Sequence, residues 1–557
     1  MSSTFQLMNS NLDYDVLIVG AGLSGICNLY HLRRLGLRVK VLEAGEGEGG
    51  TWHWNRYPGA RFDSESLSYT FSFCQEVLDE WSWSEAFAGQ PETLRYINFL
   101  VDKLDLRRDM QFNTKVESLQ FREDSNSWLA KDTQDRQYTA RFIVTAVGLL
   151  NVPTLPAIPG GIDKFKGLSW HTARWPSEHT LESLRGKRVG VVGVGATGIQ
   201  TVQALHKVVG SLVVFQREPN WTLPMRNSAI SPEEMETLRK QWPDVFKICN
   251  DSPASFAHPG NFTTSNDYTE EQLVALWEDT YKKPGFAKVV SVPFDFLMDR
   301  AANKKYSDFI AEKIKRRIND PSLAEKMIPK RHGIAGKRVP LETNYYEAFN
   351  EPNVRLVDLY ETPIEEVTEQ GLRLGGKNAE EVQLDVIVYA TGFDAVMGSY
   401  RAIDIRGIQG KRLWDDCWKE KVQSYLGLAV PGFPNMFMSM GPHQVWGNMP
   451  RSIEYVADWI ADFMKEAADK NIIRAEAIQE KADEWYVQFQ ALGAPGLQSQ
   501  VDSWVTGVNP NLDFKRKREV LMYNGTAQMY RATCNEVREG GYKGFKLAFG
   551  HSVQVKN

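Results

Sequence analysis

The sequence predicts an α/β chain with two dinucleotide-binding βαβ domains and an all-helical insertion, and three observations carry that expectation. YDVLIVGAGLSGICNLYHLRRLGLRVKVLEAG (14–45) reads as strand, glycine turn, amphipathic helix and second strand, and KRVGVVGVGATGIQTVQALHKVVGSLVVFQREP (187–219) repeats that order. Between about 226 and 335, apolar residues recur at spacings of three and four, the period of a helix.

In the first unit, Gly20 permits the tight turn, Gly22 lets the backbone approach a pyrophosphate, and Gly25 allows helix and strand to pack closely. The helix N-terminus turns unpaired N–H groups toward the phosphates. Glu43, at the tip of the second strand, accepts from ribose hydroxyls. Strand, helix and acid together make a complete Rossmann fingerprint rather than an isolated glycine motif.

The second unit has Gly193, Gly195 and Gly198, and a count separates it from the first. Gly22 to Glu43 is 21 residues; the same 21 from Gly195 reaches Gln216, followed by Arg217. A carboxylate at that offset repels a 2′-phosphate, whereas a neutral residue beside an arginine accepts it. The first site therefore suits FAD and the second NADPH.

Each unit has a later strand running into a glycine, RFIVTAVGLL (141–150) and LDVIVYATGFDA (384–395). The expected order is a first part of the FAD domain (1–150), then a linker and first part of the NADP domain (151–225). The helical insertion (226–336) follows, where SPEEMETLRKQW offers a Ser/Glu capping box. The rest of the NADP domain (337–392) and of the FAD domain, with a mobile C-terminal loop (393–557), complete the chain.

A length of 557 residues exceeds one hydrophobic core, and a net charge of -5 offers neither a nucleic-acid surface nor a polybasic membrane patch. MSSTFQLMNSNLDY lacks the basic start and apolar run of a signal peptide, and no apolar run reaches the ~18 residues of a membrane span. A cytoplasmic protein without nucleic-acid or membrane partners is expected; the oligomeric state stays open, a monomer included. Five cysteines without a close pair argue against dithiol chemistry and zinc ribbons, and no metal site is expected. Dehydrogenation, oxygen activation on a flavin and binding without turnover stay open.

Four further segments carry candidate residues. GGTWHWNRYPGARFD (49–63) joins a glycine pair, aromatics, Arg61 and Asp63. HGIAGKRVPLETNYYEA (332–348) sets Lys337 and Arg338 before a strand-like segment. VDSWVTGVNPN (501–511) places Trp504 in a polar loop, and FKGLSWHTARWP (165–176) holds His171 between two tryptophans.

That last stretch matches the pattern FxGxxxHxxxW followed by Pro or Asp, through Phe165, Gly167, His171, Trp175 and Pro176, and two GxGxxG units flank it. The chain thus resembles the type I Baeyer-Villiger monooxygenases, most of all the phenylacetone and cyclohexanone monooxygenase branch, from Tyr14 to about Leu547. The resemblance implies FAD held by Gly20, Gly22, Gly25, Glu43, Thr51, Trp52, His53, Trp54, Asp63, Tyr69, the Val116 backbone and Met449. It implies NADPH held by Arg61, Gly193, Gly195, Thr197, Gly198, Gln200, Arg217, Lys337, Arg338 and Trp504.

The implied reaction uses NADPH and O2 to convert ketones to esters or lactones through a C4a-peroxyflavin. Arg338, which keeps its charge, stabilises the anionic intermediates, and Asp63 aims it. His443, Gln444, Val445 and Trp446, in GPHQVWGNM (441–449), are expected to shape the ketone pocket. His171 is expected to couple cofactor binding to domain position from a linker, not to transfer a proton. Where relatives carry Asn-x-Pro-Gly-Lys, this chain has NPNLDFK (509–515), a departure that bears on the motion of that loop. Oxidation of sulfur or nitrogen is the alternative enzyme class, and a flavin-binding redox sensor the non-enzyme one.

Overall fold

The computed structural model describes residues 11–512, 514 and 516–550; the first ten residues, read above for a leader, and Asp513 and Lys515 of the C-terminal loop lie outside the described residues. In the first sheet the strands run Asp404–Arg406, Val116–Arg122, Ser127–Asp132, Gln137–Thr145, Tyr14–Val19, Val39–Leu42 and Met110–Gln111, and Met436–Met438 also pairs with Gln137–Thr145. Tyr14–Val19 lies between parallel neighbours and is covered on both faces. That is why it reads as a continuous apolar run instead of alternating. The helix Leu23–Arg34 covers one face, and the long helix Met449–Asp469 packs on it, burying Ile453, Val456, Trp459 and Phe463.

The second sheet is parallel throughout, in the order Val354–Asp358, Ser211–Gln216, Arg188–Val192, Val386–Tyr389 and Leu168–His171. Its edge strand is the stretch expected to be a linker. The physical reason lies at Gly167, where an added Cβ would sit 2.7 Å from the Asp385 carbonyl oxygen. Only a glycine allows that approach, after which Leu168 N–H donates to the same carbonyl at 3.0 Å and the strand zips along Val386–Tyr389.

The chain leaves this domain and returns through a short parallel stem, Leu223–Pro224 beside Leu341–Glu342. Among the described residues, the segment between is helical, its longer helices being Pro232–Arg239, Trp242–Asp251, Glu270–Lys282 and Arg300–Lys315. The capping box is present: Ser231 Oγ accepts from Glu234 N–H at 3.2 Å, and Glu234 Oε2 accepts from Ser231 N–H at 2.8 Å. Arg317 locks the insertion to the stem, donating to Glu342 Oε1 at 2.6 Å and Glu347 Oε1 at 2.7 Å.

The chain passes between the two sheets at 151–154 and again at 391–394, and these crossings pair. Thr154 N–H donates to Gly392 O and Asp394 N–H to Val152 O, both at 2.9 Å, while Thr391 Oγ1 donates to Thr154 O at 2.6 Å. A two-stranded crossing limits the ways in which one sheet turns against the other.

Candidate active site

The two glycine turns are built alike. Gly20 has φ of 104°, and a Cβ there would lie 2.5 Å from Ala146 O; Gly193 has φ of 106°, and its Cβ would lie 2.6 Å from Ala390 O. Each turn is thus closed by the strand-to-glycine segment that comes later in the chain. Both following helices begin without a side-chain cap, at Gly22 and at Gly195, and without an acid in the first turn. Their first N–H groups stay available to an anion. Gly50 faces Gly22 so closely that a Cβ on Gly50 would come within 2.8 Å of Gly22 Cα, while a Cβ at Gly195 would meet nothing within 4 Å. Bare backbone at one turn and open space at the other fit two pyrophosphates.

Glu43 is buried and accepts from Ala21 N–H and Gly45 N–H, each at 2.7 Å. Burial raises its pKa, and those backbone donors oppose the shift. One carboxylate oxygen goes to each donor, leaving a lone pair on each for a ribose hydroxyl. Asn113 and Thr114 run beside it, donating to Gly45 O and Glu43 O, and Val116 begins its strand just beyond. Next to this wall, Thr51 to Trp54 form one helical turn with Thr51 exposed and Trp52 and His53 buried. Trp52 Nε1 donates to Tyr69 Oη at 2.9 Å, and the Arg174 guanidinium lies over Trp54, 4.5 Å from the ring centre. Arg174 ties the fingerprint strand to this wall. Met449 opens the long helix and is half-buried.

At the second turn, Arg217 is exposed and Lys337 Nζ lies 3.3 Å from Glu218 Oε2. Gln216, the residue reached by the count, is buried and donates to Lys326 O at 2.8 Å, so it anchors the insertion. Thr197 lies in the first turn of the helix. The resemblance implies Gln200 as a residue that holds NADPH, yet its side chain is committed elsewhere. Its Oε1 accepts from Tyr57 Oη at 2.7 Å and its Nε2 donates to Arg61 O at 3.0 Å. The cause is Gly59, which brings the 57–61 loop so close that an added Cβ would lie 2.5 Å from Gln200 O. Arg61 is likewise engaged, donating from Nη1 to Glu85 Oε2 and Phe87 O, both at 2.9 Å.

Arg338 and Asp63 meet between the two turns, with Nη2 to Oδ2 at 2.7 Å. Leu341 N–H also donates to Asp63 Oδ2 at 3.4 Å. Burial raises the Asp63 pKa, and the Arg338 charge pulls it back. Trp504 stacks on Trp446, with ring centres 6.0 Å apart and planes 16° apart, so the C-terminal segment closes over the loop that leads to Met449.

His443 and Gln444 do not line a pocket. His443 is fully enclosed, with Nδ1 at 2.8 Å from Ser424 Oγ and its ring 4.2 Å from that of Phe489, and burial pushes its pKa down to about 3. Gln444 donates to Gly427 O and Met438 O and accepts from Met440 N–H, so its amide holds the loop together. A short loop with two fixed polar side chains leaves Trp446 as the member stacked on the closing segment, while Val445, also buried, faces a small cavity beside Tyr455 and Tyr530.

His171 ends the edge strand beside the domain crossing. Its Nδ1 accepts from Ala173 N–H at 3.0 Å, its ring meets Phe393 edge-on at 5.5 Å, and burial pushes its pKa down to about 4. Phe165 and Trp175 are buried, and Trp175 Nε1 donates to His179 O at 2.6 Å, with Pro176 capping the turn that follows. Sequence reasoning missed Tyr57, Glu85 and Glu218. Of these, Glu218 alone carried a signal, being an acid adjacent to Arg217.

A family profile described as flavin-binding monooxygenase-like matches residues 14–243. The chain is 36% identical to a phenazine N-monooxygenase of Lysobacter antibioticus over 98% of this chain and 99% of that protein. It is 36% identical to a Baeyer-Villiger monooxygenase of Pseudooceanicola batsensis over 95% of each. Among solved structures, the complex of OTEMO with FAD and NADP superposes with a TM-score of 0.92 at 38% identity, covering 97% of this chain and 100% of that one. With relatives this similar along nearly its whole length, the chain belongs to the Baeyer-Villiger monooxygenases.

Proposed function

We propose that the chain converts ketones to esters or lactones with FAD, NADPH and O2, and that Asp63 and Arg338 form its reacting centre. The observation that carries the assignment of these two residues is their pairing: a buried carboxylate fixes one arm of a guanidinium whose side chain is 41% exposed. FAD and NADPH, when bound, supply hydride transfer and the activation of dioxygen.

The side chains account for the rest. Arg338 keeps its charge across the working pH range and stabilises negative charge developing on the ketone oxygen. Asp63 accepts from Nη2 and so fixes the guanidinium plane, which leaves the remaining donors to face the open side. Glu43 and the bare N–H groups after Gly20 hold the flavin nucleotide; Arg217 and Lys337 hold the 2′-phosphate of NADPH. The Trp446–Trp504 stack excludes water from the substrate side. No helix among the described residues is long and apolar enough to cross a membrane.

The likeness to a phenazine N-monooxygenase favours a second activity, oxidation of aromatic nitrogen. One experiment addresses both: incubate FAD-loaded protein with NADPH, 18O2 and a panel of linear, cyclic and aryl ketones and N-heteroaromatics, and weigh the products. Esters or lactones carrying one 18O support the main reading. N-oxides without esters favour the second, and hydrogen peroxide alone overturns both.

A further inference from the structure

Around the second nucleotide turn, Glu218 is explained neither by the glycine motif nor by the need to bind a phosphate. It directly follows Arg217, and its Oε2 lies 3.3 Å from Lys337 Nζ, with side chains 18% and 28% exposed. Its other oxygen, Oε1, is buried without a hydrogen-bond partner. The imidazole of His332 also faces it; burial lowers the pKa of that ring, so at neutral pH it carries no charge. Lys337 is therefore the counter-ion of Glu218, and the same ammonium is the one a 2′-phosphate needs.

We propose that Glu218 is a specificity-determining residue that, by holding Lys337, narrows the discrimination between NADPH and NADH. The proposal rests on the reading of Arg217 and Lys337 as the 2′-phosphate site. A phosphate entering this site carries nearly two negative charges and must share or displace the carboxylate on Lys337, against its repulsion. A 2′-hydroxyl, being neutral, meets no such opposition. The carboxylate thus penalises one cofactor and leaves the other unopposed. The partly buried position makes the effect larger than that of a solvent-exposed pair.

The test measures binding rather than turnover. FAD-loaded wild type, Glu218→Gln, Lys337→Met and the double variant are titrated calorimetrically with adenosine 2′,5′-bisphosphate and with 5′-AMP. Glu218→Gln is expected to tighten bisphosphate binding about fivefold, with AMP binding unchanged. In the Lys337→Met background that gain disappears, and Glu218→Asp, which keeps the charge, retains the wild-type ratio. An unchanged bisphosphate-to-AMP ratio in Glu218→Gln overturns the inference, as does an equal gain with and without Lys337. Failure of the cofactor reading has a separate signature: neither nucleotide binds wild type or variant, and the inference falls with it.

Discussion

Asp63 and Arg338 stand 275 residues apart in the chain and form a 2.7 Å ion pair in which the carboxylate is 3% and the guanidinium side chain 41% exposed. The asymmetry assigns the work. A nearly dry anion acts as the fixed partner, and the half-open cation is the one able to meet a substrate. Arg338→Ala is expected to leave reduction of FAD by NADPH intact and to lower ester formation by about 10³-fold. Stopped-flow bleaching of the flavin and product analysis separate the two steps. Ester formation at wild-type rates would remove Arg338 from the reaction.

The same asymmetry predicts a trade between activity and stability. Burial raises the Asp63 pKa above that of the unfolded chain. The folded state therefore binds the proton more tightly, and the charged carboxylate costs stability at any pH above its folded pKa. Asp63→Asn removes that cost, and the partner it leaves behind is solvated enough to stand alone. The variant is expected to melt at or slightly above the wild-type temperature while ester formation falls about 10²-fold. The stability gap should close as the pH is lowered through the Asp63 pKa, where both side chains are neutral. A variant that is markedly less stable at neutral pH would contradict this account.

Gln200 joins the two nucleotide domains through the Tyr57 hydroxyl and the Arg61 carbonyl. Burial pushes the Tyr57 pKa to about 12, so the phenol is a donor throughout the neutral range. Gln200→Leu strands that buried hydroxyl and is expected to cost about 1–3 kcal/mol. Tyr57→Phe in the same background removes the stranded group and recovers part of the loss. Urea unfolding of the two single variants and the double gives the coupling, and strictly additive losses would deny the bridge.

Both nucleotide turns were legible in the sequence because each is local: strand, glycines and helix sit within about thirty residues and obey one geometric demand. The helical insertion was legible for the same reason, through its period and the Ser231 capping box. What the sequence hid are relationships set by distant backbone. Nothing in FKGLSWHTARWP announces an edge strand, because its partner Val386–Tyr389 lies more than two hundred residues on. The commitment of Gln200 depends on how closely Gly59 approaches it. His443 and Gln444 read as pocket residues because the resemblance puts their loop at the ketone site, whereas in the fold His443 pairs with the Ser424 hydroxyl and Gln444 satisfies the backbone of Gly427, Met438 and Met440.

His171 predicts a pH effect on stability rather than on catalysis. Its pKa is pushed from 6.5 down to about 4 in the folded chain. The unfolded chain therefore takes up the proton first, and the stability linked to this residue is complete above pH 6.5 and lost as the pH falls toward 4. The full effect is at most about 3 kcal/mol. His171→Asn, which keeps an acceptor near Ala173 N–H, should flatten melting temperature against pH between 6.5 and 4 relative to wild type. The pH profile of ester formation between 7 and 9 should not change. A steep remaining dependence in the variant would shift the effect to the other buried histidines.

Asn509 and Asn511 clasp the C-terminal segment to the domain crossing. Asn509 Nδ2 donates to Phe393 O at 2.9 Å and Thr154 Oγ1 at 3.2 Å, and Asn511 Nδ2 donates to Thr391 O at 3.1 Å. These acceptors lie on both strands of the crossing, so the position of Trp504 over Trp446 depends on the angle between the domains. Each hydrogen bond is worth about 0.5–1.5 kcal/mol. Asn509→Ala with Asn511→Ala removes three such bonds and should therefore raise the open population of the segment by about 10-fold or more. Because this segment carries the aromatic cover of the site, the double variant is expected to consume NADPH in excess of ester formed, with hydrogen peroxide making up the difference. Proteolysis between residues 500 and 521 should quicken in parallel. Unchanged coupling together with unchanged cleavage would show that the segment is held by Glu519, whose carboxylate accepts from Val422 N–H at 3.1 Å, rather than by the crossing.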